Sequence, residues 1–444
     1  MMRLEIGHLR EGVETQWLCL NDGILPAGLA GARYQAALSS ADEVEECIEI
    51  ALQGTLTELR TILSLLEGMV NEARACEQDG YGDPLCLRVT TAESSLPRHA
   101  CLRDVRLEAD AGYALWREKG SLGLELIFKR DNCFDSQEIP LALINEQPLT
   151  ADGRQVINHS DTDAGHQNWV YIDGSFINTG LPAPLRLELT NTSPNRLGEL
   201  LTGVTSEAWQ AGVPLLSLEA ETGAGAVPMN LDGCSGGRYS ANTWSGGAWT
   251  NLLSWDLSTG KLISFRGCQV TPLLRLAGSA NSDGSQLRWQ FYTEGNLALQ
   301  SGAVFQGSQD KCLRLPSFRF PWSNLPEGKL PAQAALVLQA QNGSAGTHTL
   351  GMDDLQFLSG CQTLKPVTGL ASGAKFVLDS FSRRSWSVSG SGVGTSHLWL
   401  GGGAFIRPGY RIWLNFFQKE MDGSALIART LAVKAWYRER RRAL

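Results

Sequence analysis

The sequence predicts a mainly β protein served by one helix, and three observations predict it. Residues 46–53 alternate Glu46, Ile48, Ile50 and Leu52 with Cys47, Glu49, Ala51 and Gln53, the period of a half-buried strand. A capped amphipathic helix follows at once, and no later segment reads as a comparable helix. The composition, with 48 Gly, 13 Trp and 19% charged residues, is that of a turn-rich β chain with ample core and not of a disordered one.

The helix begins where Thr55 and Glu58 stand at capping-box spacing. Leu56, Leu59, Ile62, Leu63, Leu66, Met69, Val70 and Ala73 form one apolar stripe, which runs to a stop at Asp79-Gly80. One helix of about 20 residues beside so many strands is a packing element, not half of a βαβ enzyme core. Strands at 85–90 and 102–108 follow. Then comes a strand in which Leu124, Leu126 and Phe128 alternate with Glu125, Ile127 and Lys129, closing at residues 130–134. This first unit spans residues 1–140.

A polar stretch at 145–163 reads as a connector. Beyond it lie strands at 169–172 and 184–190, in the second of which Leu185, Leu187 and Leu189 face opposite to Arg186, Glu188 and Thr190. From residue 195 to 360 the composition shifts to Gly, Ser and Trp, with short strands at 215–219, 286–292 and 334–339 between Gly-rich turns. After Cys361 the chain again reads as longer alternating strands, at 375–379, at Ile412, Leu414 and Phe416, and at 430–437. The second unit is therefore expected to be split, as 141–194 and 361–444, around an insert at 195–360. A chain of 444 residues has room for two or three cores at about 100 to 200 residues each.

Charge and cysteine usage exclude several classes of function. A net charge of −8 argues against nucleic acid as the main partner, because phosphate binding needs clustered Lys and Arg. The one basic cluster, Arg438, Arg440, Arg441 and Arg442, reads as a solvated tail. No apolar run reaches the ~18 residues of a membrane span, and the N-terminus lacks the apolar core of a signal peptide. The ten Cys, at 19, 47, 76, 86, 101, 133, 234, 268, 312 and 361, include no C-x-x-C pair and read mostly as buried free thiols.

Taken together and in order, several of these segments resemble the distal tail proteins of long-tailed bacteriophages. They are the strand and helix at 46–75, the close at 124–134, the segment GLPAPLRLEL at 180–189, the turn FIRPG at 405–409 and the ending AWYRERRRAL at 435–444. The resemblance implies a tail-tube-like β-sandwich with one helix, followed by a galectin-like β-sandwich that carries an inserted β jelly-roll. It implies further a homo-oligomeric ring, usually a hexamer, that joins the tail tube to the tip, with the tail tube, tape measure and tail hub proteins as partners. The expected location is the virion's tail tip, after assembly in the host cytoplasm.

Within the insert, Glu219 and Glu221 near its start and Asp353 and Asp354 near its end are similar to the first and last strands of calcium-stabilised jelly-roll carbohydrate-binding modules. No cofactor is expected to be required; four such carboxylates suit a hard cation and are the candidates for a structural calcium, beside the plainer reading of solvent-facing acids at strand ends. Tyr239, Trp244, Trp249 and Trp255 lie among Gly and Ser with Asn242 and Asn251. Flat aromatic faces with polar neighbours suit sugar rings, which makes these six residues the candidates for contact with a host cell-surface glycan; core Trp is the rival reading.

Catalytic chemistry finds little support, and the chain is not expected to be an enzyme. The six His are scattered; His159 and His166 share a polar loop with Asp161 and Asp163, which reads as a linker before it reads as a metal site. The Gly-rich runs at 223–225 and 390–394 lack the strand, helix and Lys of a phosphate loop. Glu219 with Asp353 or Asp354 would make a glycosidase pair only at a defined carboxylate separation. The expected function is that of a structural adaptor, with a free carbohydrate-binding protein, and after it a glycan hydrolase, as the alternatives.

Overall fold

The strand Glu43–Gln53 buries Val44, Glu46, Ile48, Ile50 and Leu52 and exposes the residues between them, so its alternation selects one face for the core. Leu59, Ile62, Leu66, Val70 and Ala73 of the helix Leu56–Asp79 pack into the same core. The capping box is formed: Glu58 Oε2 accepts from both the Thr55 N–H and its hydroxyl at 2.8 Å. Glu46, on the buried face, is matched by the fully buried Arg130, whose Nε and Nη2 each reach its carboxylate at 2.7 Å. Tyr34 donates to the same carboxylate at 2.5 Å. A buried carboxylate persists only when paired in this way.

This protein's structure is a computed structural model. It describes the chain apart from residues 1, 10–14, 37–40, 80–81, 110–119, 146, 158–168, 178–180, 195, 198, 207–215, 232–233, 258–268, 278–281, 308–311, 320–332, 360–361, 365–368, 393, 398–402, 407–408, 410, 420–429 and 443–444. His159, Asp161, Asp163, His166, Cys268 and Cys361 lie outside the described residues. The chain is mainly β, with antiparallel sheets and one α-helix among the described residues. Among them, no helix is long and apolar enough to cross a membrane.

Three large hydrophobic cores stand out among the described residues. The first, from Leu4 to Phe134, lies between a four-stranded sheet, a six-stranded sheet and the helix. The second runs from Leu143 to Tyr437 in sequence, yet among the described residues holds none between Leu197 and Leu370. Its central strand Ala183–Asn191 is flanked by Thr430–Tyr437, with Leu187 opposite Ala435, and by Lys375–Asp379, with Leu187 opposite Leu378. The third core, from Leu218 to Phe357, is built entirely inside that gap.

The gap opens further along the chain than composition suggests. The strand Glu199–Ser206, within the stretch read as insert, pairs along its whole length with Arg411–Lys419 of the second unit. Thr202 also faces Gln362, so the chain leaves and re-enters this unit on neighbouring strands. Inside the third unit, Leu216–Glu219 pairs with Thr347–Ser359 in the same fashion.

The basic ending is not a solvated tail. Arg440 donates bidentately to Asp135, with Nε at 2.8 Å and Nη2 at 3.0 Å, and its strand pairs with Phe134–Asp135 of the first unit. Arg438, 6% exposed, reaches Glu138 at 3.1 Å and lies over the Phe381 ring. Asp131 collects Arg103 at 2.8 Å, Arg383 at 3.0 Å and Arg440 at 3.3 Å. Acids some 300 positions upstream thus bind these arginines, and no local pattern shows it. Arg441 and Arg442 alone are exposed.

Candidate functional site

The aromatic set divides between core and surface. In the strand Arg238–Ser245, Ser240, Asn242 and Trp244 share the inward face and are 0%, 5% and 4% exposed. Trp244 sits in the third core beside the His348 ring, and Trp255 is buried there too, its indole N–H donating to the Glu219 carbonyl at 2.9 Å. The Asn242 amide donates to the carbonyls of Gly225 and Leu252 at 2.8 and 3.0 Å. Trp244, Trp255 and Asn242 are therefore core residues and stack on nothing outside; alternation along each strand decides the matter. Tyr239 is half-buried on the same sheet as Trp244. Only Trp249 and Asn251 reach the outer face of the other sheet.

That outer face is the candidate site. Its strands run in the order Thr250–Asp256, Ala334–Gln341, Ser285–Thr293, Asn296–Gln300. Leu287, Trp289, Phe291, Leu336, Leu338 and Ala340 point inward to the core. Among the alternate positions Ala335 and Val337 are apolar, and the polar ones fall in register across the sheet, Asn251 beside Gln339 beside Arg288, and Gln290 beside Gln300. Arg288 Nε donates to Gln339 Oε1 at 2.7 Å, and Gln339 Nε2 donates to Asn251 Oδ1 at 2.7 Å. Gln290 Nε2 donates to Gln300 Oε1 at 2.6 Å, and the Tyr292 hydroxyl donates to Gln290 Oε1 at 2.8 Å. The Arg288 guanidinium lies 4.0 Å over the Trp249 ring.

Two consequences follow from this network. Gln290 and Gln339 are 6% and 8% exposed although they point away from the core, so the middle of the face is recessed. The carbonyl oxygens of Asn251 and Gln300 are engaged inside the network, which leaves their amide N–H groups at exposed positions free to donate. A recessed surface with fixed donors, one cation and an aromatic edge suits a ligand rich in hydroxyl and ring oxygens. Sequence reasoning missed Arg288, Gln290, Tyr292, Gln300 and Gln339. Their signal was present in the alternation of Gln286, Arg288, Gln290 and Tyr292 with Leu287, Trp289 and Phe291.

Of the four acids, Asp353 and Asp354 come together around an arginine, with Glu219 on the strand paired with theirs. Glu219 faces Asp354 in register, and Asp353 and Asp354 are fully buried. Arg275, 2% exposed, lies 3.6 Å from Asp353 Oδ2 and 3.4 Å from Asp354 Oδ1. Gln356 donates to Asp354 Oδ2 at 2.6 Å. Burial, followed by the charges of Glu219 and Asp354, pushes the Glu221 carboxyl above its ordinary range. Among the described residues no three His, Cys, Asp or Glu side chains converge to hold a metal ion. As placed, these residues do not fit calcium, because a guanidinium already supplies the positive charge. Asp353 and Asp354 are sealed from solvent, so a glycan does not reach them as an acid pair.

No family model and no curated protein matches this chain. Among solved structures it is similar to a chain of the phage p2 baseplate in its activated conformation with Sr, at 10% identity and a TM-score of 0.21, over 82% of this chain and 99% of that one. A second structure of that phage baseplate, in its activated conformation with Ca, gives 11% identity and a TM-score of 0.21 over the same shares. The VP2 subviral particle of infectious bursal disease virus gives 8% identity and a TM-score of 0.20, over 70% of this chain and 82% of that one. At these TM-scores the likenesses carry no argument.

Proposed function

We propose that this chain is a structural, non-enzymatic adaptor of a phage-like tail, and that its inserted module holds host cell-surface glycan on its outer sheet. The architecture carries the reading. A first unit with two sheets and one helix is fastened to a second unit by the arginine arm, and a third core hangs from the second on adjacent strands. This is the order of parts that the sequence resemblance implies. The first units would close a ring, of six copies in the expected case, between the tail tube and the tape measure and hub proteins, at the virion's tail tip. The modules, carried on the periphery, would add weak contacts whose combined avidity far exceeds that of one site.

Mass spectrometry and labelled-antibody imaging of particles released by the host bacterium test the assignment. The chain is expected in purified particles, with label confined to the tail end away from the head. Its absence from particles, together with a soluble form that binds glycan, would favour the free carbohydrate-binding protein instead.

A further inference from the structure

Consecutive residues of a regular strand point to opposite faces, so Asp353 and Asp354 should not both turn to one partner. They do so because the pairing of Gln269–Leu276 with Thr347–Ser359 is irregular at this point. Leu274 faces Leu355 and Leu276 faces Met352, which leaves Arg275 alone opposite the two aspartates. Two residues against one is a β-bulge, a device that re-aims side chains. Here it brings both carboxylates within 3.6 Å of a single guanidinium in a place closed to solvent. The neighbouring Asp354 backbone pairs with Glu219, the last residue of the strand by which the chain enters the module.

We propose that Arg275 is the resident cation of this module and takes the place that a divalent ion holds in the calcium-stabilised modules it resembles. Two buried carboxylates side by side need a positive charge to stay ionised. A guanidinium supplies it at every pH a protein meets and cannot be chelated. By holding Asp353 and Asp354, Arg275 keeps the leaving strand in register with the entering one, so the module closes on itself without a metal. This holds whether or not the module binds glycan.

Shortening Arg275 leaves the buried carboxylates of Asp353 and Asp354 without their cation, next to Glu219, whose backbone pairs with Asp354, and Glu221, whose carboxyl feels the Asp354 charge; carboxylate oxygens are the donors a hard cation takes. The variant should therefore acquire the metal dependence that the natural chain lacks.

Thermal unfolding of the full chain, followed by Trp fluorescence, tests both statements. Trp244, Trp255 and Trp289 report on this core. The natural chain is expected to melt at the same temperature in EDTA and in millimolar calcium. Arg275→Ala should melt lower in EDTA, recover in calcium, and show Trp-sensitised terbium luminescence that the natural chain does not show. If Arg275→Ala fails to fold, Arg275→Lys, which keeps a cation, should fold and stay insensitive to EDTA. A natural chain that loses stability in EDTA and regains it in calcium overturns the proposal. So does an EDTA-sensitive Arg275→Lys, or an Arg275→Ala that folds yet gains nothing from calcium.

Discussion

Trp249 and Trp255 are six positions apart, and one carries Arg288 on a half-buried ring while the other lies in the core. Composition marked this stretch as rich in aromatics, but spacings of five or six residues do not fix which face of a sheet a ring takes. Register with the partner strands fixes it. The two residues should therefore behave differently. Trp249→Ala and Asn251→Ala are expected to melt within a degree or two of the natural chain and to lose retention on host cell-wall glycan. Trp255→Ala should cost about 3–5 kcal/mol in a denaturant titration. Loss of stability in Trp249→Ala as large as in Trp255→Ala would remove the outer face from the account. Asp131 offers a second test at this scale. Burial works against its ionisation, yet Arg103, Arg440 and Arg383 outweigh burial and hold its carboxyl below the usual aspartate range. A depressed folded pKa means stability that is present in full above the unfolded value of about 3.9 and is lost as pH falls through the folded one. Asp131→Asn should thus be less stable than the natural chain at neutral pH, by roughly 2 kcal/mol, and the gap should begin to narrow as pH falls through about 3.9 and close only below the folded pKa. A gap that stays constant with pH would mean that the lost interaction is not ionic. Asp135, whose carboxyl burial pushes up, works in the opposite sense, so the comparison between the two chains and not the total acid sensitivity isolates Asp131.

Elements with a strong local period were legible. The capped helix and the strand Glu43–Gln53 follow from their own residues, and so does the alternation of Leu185, Leu187 and Leu189 in Ala183–Asn191. The short strand Glu199–Ser206 was not, because Leu200 and Leu201 break its alternation and only the pairing with Arg411–Lys419 assigns it to the second unit. The acid pair at 353–354 was legible as chemistry, but its partner was not. Arg275 sits in an apolar strand some 80 positions upstream, and a bulge that exists only in the folded sheet brings them together. Because the chain leaves and re-enters the second unit on neighbouring strands, excising residues 207–361 and joining the ends with a short Gly-Ser bridge should leave a folded protein. Circular dichroism and a cooperative melt check this. An aggregate, with the strand Gln362–Leu364 unable to pair with Glu199–Ser206, would mean that the module is a structural part of its host unit.

At the scale of the whole molecule, the central claim is that the first two units form one body that assembles with copies of itself while the third hangs free. The arginine arm supports the first half of that claim. Arg438 and Arg440 tie the last strands to Asp135 and Glu138, and Phe381 packs against Cys86 and Cys101 of the first unit. A rigid body of this kind can present the same surface in every copy, which a closed ring requires. The arm was illegible in sequence for a simple reason: four arginines at a chain end look solvated until the acids they bind are brought to them from far away. Native mass spectrometry across a concentration series, on the full chain and on the 207–361 deletion, tests the claim most directly. We expect a single closed oligomer, a hexamer of the 48.2 kDa chain in the favoured case, with the same number of copies in both proteins. Monomers of both at every concentration, or a ring that disappears with the module, would contradict the account.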